Sequence, residues 1–214
     1  MSAIAITSSG SGAGTLSIAA PITATNRTLT LPDATTTFVG TDATQTLTNK
    51  TIQGGAITSG TAVASTSGTS IDFTSIPSWV KRVTINMVGV STTGTSPPQI
   101  QIGAGSVVTS GYLGSNTIVY VSPGSVLFTT GFGIGVNTSN WAATVVVHGS
   151  IVLSLQTGTT WVAAGSVGRS DATASTYLTN GSLALGGVLD RVRITTAGGT
   201  DTFDAGSINI LYEG

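Results

Sequence analysis

Few residues in this chain are equipped for acid–base or nucleophilic chemistry. His148 is the sole histidine, and the carboxylates are Asp33, Asp42, Asp72, Asp171, Asp190, Asp201, Asp204 and Glu213. A Ser-His-Asp arrangement would have to recruit His148, but no G-x-S-x-G elbow is present to present a nucleophile. The plainer reading places His148 on a half-polar strand face or at a subunit contact. Two carboxylates brought together across space could hydrolyse a glycosidic bond. The one close pair, in DTFD at 201–204, lies near Gly198, Gly199 and Gly206 and could line an oxygen-ligand loop for Ca²⁺. It reads more simply as a solvated turn leading into the last strand. The glycine-rich pieces GSGAG (10–14), GAG (103–105) and GFGIG (131–135) complete neither G-x-G-x-x-G nor G-K-[ST], so no phosphate cradle is expected. With no cysteine in the chain, disulfides and thiolate metal sites are excluded. No catalytic, cofactor or metal residue is therefore assigned. Asp190, Arg191 and Arg193 are expected to form an ion pair across strands or subunits.

Aromatic side chains offer a different chemistry, stacking against a sugar ring beside hydroxyl and amide donors. Trp79 and Trp141 are expected in a core or an interface, the usual fate of tryptophan. Tyr112 and Trp161 adjoin Thr- and Gly-rich turns and, together with Tyr177, are the candidates for a receptor-facing surface, with loops at 91–98, 109–117, 136–141 and 168–181.

Composition narrows the partners. Charged residues make up 7% of the 214 residues and the net charge is -1. A nucleic-acid partner needs a basic patch to displace counterions, and none exists. Hydrophobic residues reach 40% and mean hydropathy is +0.38, which excludes a wholly disordered chain. No run approaches the roughly 20 apolar residues of a membrane helix, so no membrane insertion is expected. MSAIAITSSGSGAGTLSI lacks a basic n-region and an apolar core, so no secretory signal is expected either.

These side chains must be positioned by strands. From Ile71 onward, apolar residues alternate with polar ones in KRVTINMVGV, QIQIG, TIVYV, TWVAAGSVG, DRVRITT and GSINILYE, and no window shows helical spacing. WAATVVVHGSIVLSL places Trp141, Ala143, Val145, Val147, Ile151, Leu153 and Leu155 on one face, with Gly149 marking a bend or bulge. NTSN (137–140) is expected to close a hairpin between this run and SVLFTTGFGIGV. The pattern gives nine or ten short strands and an all-β fold, an antiparallel β-sandwich of jelly-roll type over residues 69–214. Residues 1–68 differ in kind. They are Ser/Thr/Ala/Gly-rich with isolated apolar positions such as Leu29, Leu31, Phe38, Leu47 and Ile52, and they cannot offset their own ordering cost alone. They read as an extended arm, with 54–68 as a linker.

TLTLPDATTT (28–37) and QTLTNKTI (45–52) resemble the N-terminal or shaft region of bacteriophage fibre proteins. SIPSWVKRVTINMVGVSTTGTS (75–96) and LDRVRITTAGGTDTFDAGSINILYEG (189–214) resemble virion structural domains. The resemblance implies a non-enzymatic virion protein, made in the bacterial cytoplasm and assembled as a homotrimer. Its arm, with Leu29, Leu31, Phe38, Leu47, Asn49, Lys50 and Ile52, would join sister chains and a second virion protein. Its β domain would bind a host-surface glycan or protein. A head-fibre or decoration protein that stabilises the capsid is the nearest alternative, and a polysaccharide-degrading spike enzyme a more distant one.

Overall fold

The computed structural model describes residues 57–136, 141–171 and 174–214. They fall within one of two units of the chain, Thr51–Gly214. The expected assembly residues Leu29, Leu31, Phe38, Leu47, Asn49, Lys50 and Ile52 lie outside the described residues.

Among the described residues there are fourteen strands and no helix. In chain order they are β1 (Ile57–Ser59), β2 (Val63–Ala64), β3 (Ser70–Thr74), β4 (Arg82–Thr92), β5 (Pro98–Ala104), β6 (Ser106–Val107) and β7 (Leu113–Val119), then β8 (Gly124–Phe128), β9 (Phe132–Gly133), β10 (Val147–Thr157), β11 (Thr160–Arg169), β12 (Thr176–Ala184), β13 (Arg191–Thr196) and β14 (Phe203–Glu213). A nine-stranded sheet runs β1-β14-β4-β10-β11-β12-β7-β8, with β2 alongside β14. A five-stranded sheet runs β3-β13-β5-β6, with β9 on the same strand, β5. Every pairing is antiparallel. The all-β, antiparallel class expected from the alternating pattern is therefore present, and the arrangement is compatible with a β-sandwich.

Alternation decides what is buried. Val83, Ile85 and Met87 of β4, Ile151 and Leu153 of β10, Ile208 and Ile210 of β14, and Ile100, Ile102, Val192 and Ile194 of the smaller sheet form one hydrophobic core. Truncating one such side chain to Ala costs about 2–5 kcal/mol. Two sets of polar contacts lie inside this apolar region, the first joining the sheets and the second tying the segment before β10 to β4. Asn116 and Thr179, both fully buried, reach from β7 and β12 to the Gly133 carbonyl in the smaller sheet, at 2.9 and 2.6 Å. The Trp141 indole N–H donates to Thr92 Oγ1 at 2.9 Å.

The expected hairpin loop NTSN (137–140) lies outside the described residues; of the strands on either side, β9 pairs with β5, and β10 with β4 and β11. Two sequence expectations change. Residues 141–146 precede β10 as a turn, which leaves Ala143 exposed despite its parity with Val145. The segment 57–68, expected as linker, belongs to the β domain. Ile57–Ser59 pairs with Leu211–Glu213, and Val63–Ala64 with Ser207–Ile208. Buried Ser65 donates from its backbone N–H to the Gly206 carbonyl and from its hydroxyl to the Ala205 carbonyl. The edge of β14 would otherwise expose unpaired backbone groups, and this segment covers it.

A glycine pair shapes the middle of the large sheet. Val147 lies opposite Val90 while Gly149 lies opposite Met87, so β4 carries one extra residue there and bulges at Val88–Gly89. The register shift confirms the irregularity expected at Gly149. Gly89 has φ 65°, and facing Gly206 has φ 90°. A Cβ on Gly206 would lie 2.4 Å from the Gly89 carbonyl oxygen. His148 Nδ1 accepts the Gly89 N–H at 3.1 Å, and its Nε2 meets Ser170 Oγ at 3.0 Å. The histidine is thus a clamp for the bulge on an exposed strand face, as its plainer reading held.

Gly206→Ala is expected to lower stability by at least the roughly 1–3 kcal/mol of backbone strain. Gly168→Ala, which meets nothing within 4 Å, should stay within about 0.5 kcal/mol of the parent in urea denaturation. The pairing of 57–68 makes a second forecast. A 57–214 fragment should melt as a cooperative β domain, whereas a 69–214 fragment, with β14 uncovered, should melt lower or aggregate. Equal melting of the two would contradict the boundary.

Candidate functional site

Among the described residues the carboxylates and arginines are engaged in local structure. Arg193 makes a two-pronged pair with Asp72 at 2.7 and 3.0 Å, directly across β13 and β3. Arg191 pairs with its neighbour Asp190, which also accepts the Gly105 N–H at 3.0 Å. The pair expected across strands among Asp190, Arg191 and Arg193 is instead made between the sequence neighbours Asp190 and Arg191, and the cross-strand partner of Arg193 is Asp72, which the expectation did not include. Arg169 forms a two-pronged pair with Asp171, whose hydrogen bonds hold that carboxyl below its ordinary range. Arg82 meets Glu213 at 3.4 Å. Asp201 accepts the Ser96 N–H at 2.8 Å, and Asp204 accepts the Ser91 hydroxyl. The two DTFD carboxylates therefore serve different contacts, and among the described residues no group of three His, Cys, Asp or Glu converges on one point.

The aromatic candidates are corrected. Tyr112, Trp161 and Tyr177 are 1%, 2% and 0% exposed and cannot form a receptor-facing surface. Turn-like neighbours suggested exposure, but strand parity and packing decide. Trp161 lies opposite Leu183, and Tyr177 opposite Val167 and Ile118, so both point into the core. Tyr112 packs edge-on against Phe132 with ring centroids 4.9 Å apart. Its phenol donates to the Val108 carbonyl at 2.9 Å and accepts the Ile102 N–H at 2.8 Å. Trp141 is buried as expected and lies 5.9 Å from the Tyr177 ring. Trp79 is not in the core: it is half exposed and lies over Gly214. Parts of the expected loops are strands as well, with 113–117 in β7 and 176–181 in β12.

The distinctive exposed surface is instead the rim made by β7, β8 and the turn between them. Leu113, Val121 and Leu127 are 75%, 91% and 79% exposed, and Val119 and Tyr120 are also open to solvent. Only Phe128 of β8 is buried, and β8 has no strand on its outer side. A groove of about 370 Å³ runs along this rim, bounded by Leu113, Leu127, Thr129 and Asn180 with Gly114 and Gly181 in its lining. No Lys, Arg, Asp or Glu occurs between Arg82 and Arg169, so neither rim nor groove carries a charged residue from this span. The signal for these residues was present: Ile118-Val119 and Leu127-Phe128 put apolar side chains on both parities, and a two-faced strand must expose one of them.

A second groove, of about 350 Å³, crosses the outer face of the smaller sheet. Ser70, Gln99, Gln101, Thr130, Arg193 and Thr195 line it. The sequence pattern put Gln99 and Gln101 opposite Ile100 and Ile102, and they are opposite. Both residues line the groove although they are only 2% and 6% exposed, because the segment at Thr130 covers most of each side chain: Gln101 Nε2 donates to the Thr130 carbonyl at 2.8 Å, and Thr130 Oγ1 donates to Gln99 Oε1 at 2.9 Å.

Burial raises the Tyr112 phenol from an ordinary 10 to about 12. The folded chain keeps a proton here that the unfolded chain releases between those values. This contribution is therefore complete below pH 10 and lost as pH rises to about 12, roughly 3 kcal/mol for a two-unit shift. Tyr112→Phe should flatten that share of the alkaline loss in denaturant titrations at pH 7 and pH 11. At neutral pH it should cost about 1–3 kcal/mol, because the buried Ile102 N–H loses its acceptor. Compared with protein-family models, curated proteins and solved structures, the chain matches none of them.

Proposed function

We propose that this chain is a non-enzymatic structural protein of a bacteriophage particle, a short homotrimeric fibre whose N-terminal arm joins sister chains and the particle while the β domain faces the host surface. The observation that carries the reading is the β7–β8 rim, apolar, exposed and free of charge. Monomeric soluble proteins protect such an edge with charge, proline or a covering segment, because an unpaired strand invites another chain. A symmetric oligomer covers the same patch on each copy at once. The fibre-like motifs TLTLPDATTT and QTLTNKTI add a separate, sequence-level support.

Strand order supports the jelly-roll form of this reading. Taking β1 with β2 as one strand, the large sheet contains β1/β2-β14-β4-β10 and the small sheet β3-β13-β5-β9. Those eight positions cross between the sheets as two interleaved Greek keys do. The hairpin strands β6 to β8 and β11 to β12 are then insertions, and β7, β8, β11 and β12 widen only the large sheet.

Light scattering of the intact chain should give the mass of a trimer. Val121→Lys combined with Leu127→Lys should shift it toward monomer while the far-ultraviolet β signal is retained. A monomeric parent, or a trimer indifferent to both lysines, would remove the rim as an assembly surface. Purified protein should also block adsorption of the phage that carries it.

A further inference from the structure

We propose that the groove across the outer face of the smaller sheet is a binding site for an uncharged saccharide. The inference rests on the host-attachment reading and gives it a ligand class. The volume, about 350 Å³, falls in the ~300–1,000 Å³ range of small-ligand clefts.

Charge removes the anionic ligands. Arg193 is the one charged side chain in the lining, and Asp72 holds its guanidinium through two hydrogen bonds. The pair leaves no free positive charge to draw a phosphate or sulfate. Shape and polarity remove lipids and apolar peptides, because no aromatic or large aliphatic side chain lines the groove. The floor lies over β13 and β5, with β3 and β6/β9 outside them, so an incoming strand finds no free edge to pair with there.

What remains is a set of fixed donors and acceptors. Thr195 donates its hydroxyl proton to the Thr69 carbonyl at 2.9 Å, and Ser70 donates to Asp72 at 3.2 Å. Both oxygens therefore face a ligand as acceptors. Gln99 uses its carbonyl oxygen on Thr130, which leaves its NH₂ as a donor. Gln101 uses its NH₂ on the Thr130 carbonyl, which leaves its oxygen as an acceptor. Arg193 has guanidinium N–H groups beyond those directed at Asp72. A polyhydroxylated ring, each of whose hydroxyls both donates and accepts, matches this alternation. Because the internal hydrogen bonds already fix the orientations, little ordering cost remains at binding. With no aromatic platform, single-site affinity is weak, and a multimer supplies the avidity.

The test is saturation-transfer NMR of the full chain with galactose, glucose, N-acetylglucosamine and their β-linked dimers. Sialyllactose, a heparin-derived tetrasaccharide and a Gly-Ser peptide are the controls. At least one neutral saccharide should bind, shift the Gln99 or Gln101 side-chain amide signals of the parent chain, and lose about tenfold in affinity in Arg193→Gln and in Ser70→Ala, a change worth about 1.4 kcal/mol. The amide shifts decide the site even if a variant folds poorly. Absence of neutral-saccharide binding overturns the proposal, as does binding that leaves those amides unmoved, or preference for the charged sugars or the peptide. Adsorption separates the two readings. Protein that blocks phage adsorption without binding sugar sinks the saccharide site alone, whereas protein that binds sugar in this groove without blocking adsorption sinks the attachment reading alone.

Discussion

The dominant constraint is a mismatch of width between the two sheets. A nine-stranded sheet shares its core with a five-stranded one. Where the smaller sheet covers it, each strand of the larger sheet buries one face, and the core is continuous from β14 to β7, whose Ile118 and Asn116 are buried. β8 continues the hydrogen-bonded ladder past that cover and buries a single side chain, Phe128. Leu113, Val119 and Leu127 have the opposite parity from Ile118 and Phe128 and stand on the outer face of the large sheet. The exposed rim therefore follows from apolar side chains placed on both faces of strands that have only one face covered.

Scarcity of charge gives that exposure its meaning. The chain holds seven basic and eight acidic residues, and none lies between Arg82 and Arg169. The described pairs sit at strand ends and on the smaller sheet: Arg82–Glu213, Arg169–Asp171, Asp190–Arg191 and Asp72–Arg193. Surface pairs of this kind contribute about 0–1 kcal/mol each, so burial and backbone pairing carry stability. Specific register comes from small polar devices: the His148 clamp on the Gly89 bulge, the Asn116–Thr179 bridge between sheets, and the phenol of Tyr112 between two backbone groups. The bridge and the phenol satisfy buried groups that would otherwise be unpaired, and the histidine holds an exposed bulge in place.

The two grooves follow from the same economy of charge and divide by polarity. On the rim, glycines Gly114 and Gly181 and exposed leucines suit contact with another protein surface. On the smaller sheet, amides and hydroxyls held by internal hydrogen bonds suit a neutral polar ligand. Joined with the fibre-like motifs of the first fifty residues, they underlie the proposal that the molecule assembles through one surface and attaches through another.

Alternation in KRVTINMVGV, QIQIG, DRVRITT and GSINILYE made the strands and most of the core legible, because a period of two fixes which side chains share a face. The irregular register beside Gly149 and the structural role of His148 were legible for the same local reason, although the extra residue itself lies in β4. The short strands β1, β2, β6 and β9 were not, since two or three residues carry no period and exist only because a long strand needs a partner. Trp161, Tyr177 and Tyr112 were misplaced because the composition of adjoining turns says nothing about the parity of the strand beside them. Thus the sequence by itself determined the all-β class, the low charge and the strand faces, which depend on neighbours along the chain. Only the tertiary structure decided which faces are covered, where the ladder outruns its cover, and that Gln99, Gln101, Arg193 and Thr195 meet in one groove, because those facts depend on pairing between residues far apart in sequence.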